Sequence, residues 1–225
     1  NNARLFCTRK QKGPHSVWAN FLPLFHTAGC ATAALGCLQA ACKMLFNKAI
    51  RCGCLCTLGR GIGRYNLFCS SHKAFELLDL ERIPRDMSSL EVIMTGGVPV
   101  PPDLVRRVRD RLGCYLLSAF GQTEHSLMIC LNPVEATHAQ IVGTAGQSLP
   151  QTEVSIRLPG NNQVLPIGEV GEICARSYAV MIDYDDNPEA TAKAIDSDGR
   201  LHNGDLSMMD AEGFVGVTDR VKGMI

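Results

Sequence analysis

The sequence predicts an α/β protein: a parallel-sheet αβ sandwich over the first part of the chain, then a small β-barrel-like part. Three observations predict it. Between Leu90 and Gly121 a buried strand pattern, a helical pattern and a second strand pattern follow one another at the spacing of a βαβ unit. After about Ala136 the pattern changes to short alternating segments broken by Gly, Pro and Asn. The chain has 225 residues, 46% hydrophobic and 20% charged, enough for a sizeable core in one large or two small domains.

The elements follow in chain order. "HSVWANFLPLFHTAGC" reads as a short strand, a turn at Pro23 and the start of an Ala-rich helix. From Lys43 to about Lys73, basic residues, cysteines and glycines show no clean period, and no element is assigned there. "AFELLDLERI" reads as a helix, and "LEVIMTGGVPV" as a buried strand ending in two glycines. "PPDLVRRVRDRLG" opens with prolines near the first helical position and has Asp103 in its first turn. It carries Leu104, Val105, Val108 and Leu112 on one stripe and stops at Gly113. "CYLLSAFG" is the next strand, so the sheet is expected to be parallel here, with ligands at the strand C-termini.

Beyond Ala136, "GTAGQSLPQTEVSIRL", "NNQVLPIGEVGEICARS" and "GFVGVTDRV" read as short strands between turns. "NPEATAKAI" reads as a helix capped by Asn187, with Pro188 in its first position and Glu189 in its first turn. The expected division is residues 1–136 for a partial α/β part and 137–225 for the β-rich part.

Composition excludes several functions. Lys plus Arg equal Asp plus Glu at 22 each, so no global field recruits nucleic acid or anionic lipid. The run "CATAALGCLQAAC" is too short and too rich in small residues to span a membrane. "NNARLFCTRKQKG" lacks the apolar core of a signal peptide. Eleven cysteines, an odd count without a secretory signal, argue for reduced thiols and a cytoplasmic setting. "CGCLC", Cys52 to Cys56, lacks the second cysteine pair of a thiolate zinc site, so these cysteines are expected to be incidental. "GRGIG" fails as a dinucleotide loop because Arg64 stands at the third glycine position and no clear strand precedes it.

Two glycine-bearing segments sit at expected strand ends: "TGG", Thr95 to Gly97, and "FGQTE", Phe120 to Glu124. Glycine there lets a ring or phosphate approach the backbone. Thr123 can donate to a phosphate oxygen, Glu124 can hold Mg²⁺, and Phe120 can cover a ring face. Each segment alone reads equally as a capped turn. A third segment, "GRLHNGDLSMMDAEGFVGVTDR", reads as a hairpin with Asp205 after a glycine and Arg220 near its end. A carboxylate suits vicinal ribose hydroxyls, and a guanidinium suits ribose or phosphate oxygens. Singly, either is a solvated loop charge.

The ordered set "PLFHTAG", "MTGGVPVPPDL", "AFGQTE", "GTAGQSLP", "GEVGEICARS", "DNPEATAKAIDSDGRLHNGDL" and "GFVGVTDRVKGMI" resembles the acyl-adenylate-forming synthetase superfamily. The likeness is closest to its fatty-acid and short- to medium-chain acyl-CoA ligases. It covers Leu22 to Ile225 apart from the unassigned stretch. The resemblance implies an adenylate-forming N-terminal domain in which a carboxylic acid attacks the α-phosphate of ATP, with Mg²⁺. The acyl-AMP then passes to the thiol of coenzyme A. It further implies that Gly96, Gly97 and Val98 line the adenine site and that Phe120, where the family usually has Tyr, covers the base. Gly121 lies against the adenylate, Thr123 contacts the α-phosphate and Glu124 ligates Mg²⁺. Asp205 holds the ribose, Arg220 assists, His26 stands beside the acyl carboxylate and Lys222 falls at a hinge.

Asn203 replaces a usual Thr, Asp219 a common Gly, and Gly223 a usual acidic residue. The family's phosphate loop is expected before Asn1 and its small lid domain after Ile225. The sequence therefore reads as a fragment of a carboxylate–CoA ligase that is inactive in isolation. The alternatives are a truncated pseudoenzyme that only binds adenylate or acyl ligand, and a non-catalytic interaction module.

Overall fold

The computed structural model describes residues 2–9, 13–46, 65–68, 74, 78 and 88–220. The segments "CGCLC" and "GRGIG", most of "AFELLDLERI", and Lys222 lie outside the described residues.

Seven strands form the larger sheet: β1 (Val17–Asn20), β2 (Lys43–Phe46), β3 (Tyr65–Phe68), β4 (Leu90–Gly96), β5 (Tyr115–Gln122), β6 (Leu127–Leu131) and β7 (Gln147–Ser148). Their order is β2-β1-β3-β4-β5-β6-β7. The first five run parallel, and β6 and β7 are antiparallel to their neighbours. A four-stranded antiparallel sheet of β8 (Glu153–Arg157), β9 (Gly171–Arg176), β10 (Leu201–Met209) and β11 (Val215–Arg220) follows, in the order β11-β10-β9-β8.

Helices cover the parallel sheet: α1 (Asn2–Arg9), α2 (Leu35–Ala40) preceded by a π-helical Ala28–Ala34, α3 (Pro102–Arg107) widening into a π-helical Val108–Leu112, and α4 (His138–Gly143). A fifth helix, α5 (Pro188–Ala194), lies against β10 of the antiparallel sheet instead. A strand buried on both faces reads as a continuous apolar run, and β4 shows why. Ile93 packs with Leu104, Val108 and Leu116 on one face, while Val92 and Met94 pack with Phe6, Trp18 and Leu117 on the other. The expected stripe of α3 and its extension is buried, and Gly113 ends it at φ 65°. A third cluster, including Ile129, Ile156, Ile173 and Val215, ties the two sheets together.

Two strands stand in the stretch that the sequence left unassigned. β2 and β3 are parallel neighbours of β1, each four residues long. Among the described residues, no helix is long and apolar enough to cross a membrane.

Candidate functional site at the sheet edge

The C-terminal ends of β4 and β5 lie side by side, with Gly96 paired to Ala119. Two cavities open there and share Gly97, Ala119, Phe120, Gly121 and Gln122 as a common wall. The first, about 310 Å³, is lined by Leu22, Ala28 and Met128 together with His26, Gly96 and Thr123. The second, about 590 Å³, brings Val98 and Glu124 from this sheet to Tyr184 and to Asn203, Asp205 and Asp219 from the antiparallel sheet. The residues flagged by sequence, apart from Arg220 and Lys222, are thus divided between two chambers. Phe120 and Gly121 border both.

The glycines there have different causes. Gly97 has φ 81°, and a Cβ built on it meets nothing within 4 Å, so its backbone lies open to the cavities. A Cβ on Gly96 falls 2.6 Å from the Ala119 carbonyl oxygen. On Gly121 it falls 1.4 Å from the carbonyl oxygen of Leu127. Gly121 is therefore required by the strand that folds back on it. Open access for a ligand, which the sequence suggested for this glycine, is the reason only at Gly97.

β5 ends inside "FGQTE". It runs to Gln122 with a register shift at Phe120/Gly121, turns through a 3₁₀ turn at Thr123–His125, and returns as β6. Ser126 (φ 55°) and Leu127 (φ 85°) make the reversal. Because the turn is tight, Thr123 borders the first cavity and Glu124 the second.

A loop from the antiparallel part clasps this turn. Met181 N donates to the Glu124 carbonyl at 2.7 Å, Ser126 Oγ donates to the Ala179 carbonyl at 3.1 Å, and Tyr184 Oη donates to Glu124 Oε1 at 2.8 Å. The Glu124 carboxylate raises the Tyr184 phenol above its usual range. Helix α5 steadies Tyr184 in turn: its backbone N donates to Thr191 Oγ1 at 2.9 Å, and its carbonyl accepts from Asn187 N at 3.1 Å. Asn187 Oδ1 caps α5 by accepting from Ala190 N at 3.0 Å. Next to Glu124, His125 is fully buried, with Nδ1 3.1 Å from the Met128 carbonyl and Nε2 2.9 Å from Ser177 Oγ. Burial pushes its pKa below the ordinary histidine value. In its neutral form Nδ1–H donates to Met128 and Nε2 accepts from the serine.

On the opposite wall stands Asp205 of β10, whose backbone is paired in register with Arg220 of β11. Gly204, at φ 73°, donates its N–H to Glu172 Oε1 at 3.0 Å and so bends β10 ahead of Asp205. Asn203 borders the cavity, and both polar atoms of its side chain are buried without a partner among the described residues. His26 accepts a hydrogen bond at Nδ1 from Ala28 N at 3.0 Å, which leaves Nε2–H as the donor that the neutral ring offers.

Residues 1–184 match the family described as AMP-binding enzyme. The chain belongs to this family. It is 33% identical over 213 residues to YngI of Bacillus subtilis, provisionally named an acyl-CoA synthetase, covering 91% of this chain and 38% of that protein. It is 38% identical over 140 residues to a long-chain-fatty-acid–CoA ligase of Salmonella typhimurium, covering 62% of this chain and 24% of the relative. Among solved structures, the whole chain superposes with a TM-score of 0.88 and 25% identity on 46% of the O-succinylbenzoate coenzyme A synthetase MenE of Bacillus subtilis, solved with ATP and magnesium ion. The chain thus spans less than half the length of these relatives.

Sequence reasoning missed Tyr184, the partner of Glu124 sixty residues away. Its nearest signal is the capped helix three residues on, since Asn187 fixes both α5 and the carbonyl of Tyr184. His202 was also missed, although it borders the second cavity beside Asn203.

Proposed function

We propose that the chain carries the nucleotide- and acid-facing part of an ATP-dependent carboxylate–CoA ligase. The observation that carries this reading is the pair of cavities meeting at the wall of Phe120 to Gln122. An acid in one chamber and a nucleotide in the other meet where Thr123 and Glu124 turn between them. In the larger chamber, Asp205 accepts from two ribose hydroxyls, with Arg220 beside it. The base lies along Gly97 and Val98 with the Phe120 ring over it. Thr123 Oγ donates to an α-phosphate oxygen, and the attacking carboxylate approaches the α-phosphorus from the smaller chamber. His26 Nε2–H steadies that carboxylate. The bond formed joins acyl oxygen to phosphorus and pyrophosphate leaves; the thiol of coenzyme A then displaces AMP. Lys222 is proposed as the hinge between these two steps.

Glu124 fits a Mg²⁺ ion. Its carboxylate is a hard oxygen donor held by Tyr184 at Oε1, and Oε2 has no partner among the described residues. The ion, when bound, neutralises phosphate charge.

The acid proposed is aliphatic. Leu22, Ala28, Leu127 and Met128 give the smaller chamber apolar walls, and one relative is named a long-chain-fatty-acid–CoA ligase. The test joins this chain to the flanking segments of a related ligase and follows acid-dependent exchange of pyrophosphate into ATP. Exchange is expected with fatty acids. Thr123→Ala should lower kcat more than ATP affinity, because its donor acts where charge changes during transfer. No exchange with any carboxylic acid would refute the reading.

A further inference from the structure

One polar cluster takes no part in that chemistry. On β9, Glu172 and Cys174 share one face of the antiparallel sheet, while Ile173 and Ala175 point the other way into the apolar cluster between the sheets. Cys174 is paired directly with His202 across β9 and β10. His202 Nδ1 lies 2.9 Å from Glu172 Oε2 and 3.5 Å from Cys174 Sγ, and the three donor atoms lie within 4.8 Å of one another. A hydrogen-bonded His–Glu pair accounts for two of them. The fully buried thiol of Cys174 also turns to that ring nitrogen, with the Glu172 carbonyl 3.8 Å from its sulfur.

We propose that Glu172, Cys174 and His202 bind one divalent transition-metal ion of the zinc class. Sulfur, imidazole nitrogen and carboxylate oxygen are the donors that zinc takes. Bonds of about 2.0–2.3 Å in tetrahedral geometry set donors roughly 3.3–3.8 Å apart; the 3.5 Å between His202 Nδ1 and Cys174 Sγ matches this, and the 2.9 Å between His202 Nδ1 and Glu172 Oε2 widens by a few tenths of an ångström to admit the ion. The outer contacts fit as well. Glu172 Oε1 is held by Gly204 N, which orients the carboxylate. His202 Nε2 lies 3.6 Å from Asp196 Oδ2, itself fixed by Asn162 Nδ2 at 2.8 Å. A histidine that binds metal through one nitrogen characteristically gives its other N–H to a carboxylate. Binding releases the thiol proton and places the ring proton on Nε2, toward Asp196. The ion ties β9 to β10 beside Asn203 and Asp205, and this assignment stands whether or not the ligase reading holds.

The test titrates the purified, reduced chain with zinc against a chromophoric chelator and with cobalt(II) by absorbance. The wild type is compared with a Cys52→Ser/Cys56→Ser background that removes competing thiols. One tight equivalent is expected in both, with a thiolate-to-cobalt charge-transfer band. Cys174→Ser and His202→Asn should each abolish it, and Asp196→Asn should weaken it about 10- to 100-fold. Magnesium should not compete, since it avoids thiolate. If Cys174→Ser fails to fold by circular dichroism, Glu172→Gln, whose amide oxygen still accepts from Gly204, takes its place. Absence of the tight equivalent, or its survival in these ligand variants, overturns the proposal.

Discussion

The two walls of the second cavity are built by different means. The parallel-sheet wall is backbone and glycine, backed by Ile93 and Leu117, both fully buried. The antiparallel wall rests on a polar network in which Glu172, His202, Asp196 and Asn162 hold one another. The first should tolerate changes of charge and fail when a methyl group is added. The second should tolerate a methyl group and fail when a charge is lost. Its outer ion pairs, such as Arg200 with Glu153 at 3.4 Å, are exposed on the carboxylate side and contribute little.

The sharpest way to break this contrast is with alanine at two glycines of the same wall. Gly121→Ala drives a Cβ into the Leu127 carbonyl and should cost more than about 3 kcal/mol, seen as loss of the folded state or a large fall in urea midpoint. Gly97→Ala has open space and only the left-handed backbone to strain, so about 1–2 kcal/mol is expected. Equal costs would show that the close return of β6 does not govern the wall.

Acid should test the apolar wall at its buried ring. The folded-state pKa of His125 is depressed below 6.5, so below that pH the unfolded chain binds a proton that the folded chain refuses. Stability should be unaffected by this ring above about pH 6.5 and fall as pH drops below it. The slope has a limit of about 1.4 kcal/mol per pH unit. Denaturant melts between pH 5 and 7 should lose this slope in His125→Gln; an unchanged slope would assign it elsewhere.

The smallest effects belong to the clasp between the walls. Asn187→Ala removes the cap of α5 and should cost about 1 kcal/mol by thermal denaturation. Tyr184→Phe removes one hydrogen bond to Glu124 and should cost about the same or less. In the flanked ligase it should also raise the Mg²⁺ concentration needed for exchange. A mutant with unaltered Mg²⁺ dependence would make Tyr184 a purely structural contact.

Much of the parallel core was legible because its signals are local. β4, α3 and β5 announce themselves by apolar runs, by prolines at a helix start and by Gly113 at its end. β2 and β3 were not legible, since four-residue strands among cysteines and basic residues leave too few positions to show a period. β6 was hidden for another reason: "LMIC" is only a short apolar run until the backbone at Ser126 and Leu127 turns it antiparallel. At the site, Gly97, Phe120, Thr123, Glu124 and Asp205 could be named from their segments. Tyr184 and the Glu172–Cys174–His202 cluster could not, because their partners are distant in sequence and meet only through strand register or a loop closure.

The central claim is that the larger cavity receives an adenylate whose ribose is held by Asp205. Calorimetric titration of AMP into the chain and into Asp205→Ala tests it most directly. Two hydrogen bonds to a charged acceptor predict one saturable site in the wild type. They also predict a loss of affinity of roughly 10- to 150-fold in the variant, from about 1.5–3 kcal/mol. The absence of saturable AMP binding, or equal affinity in a folded Asp205→Ala, would contradict the account.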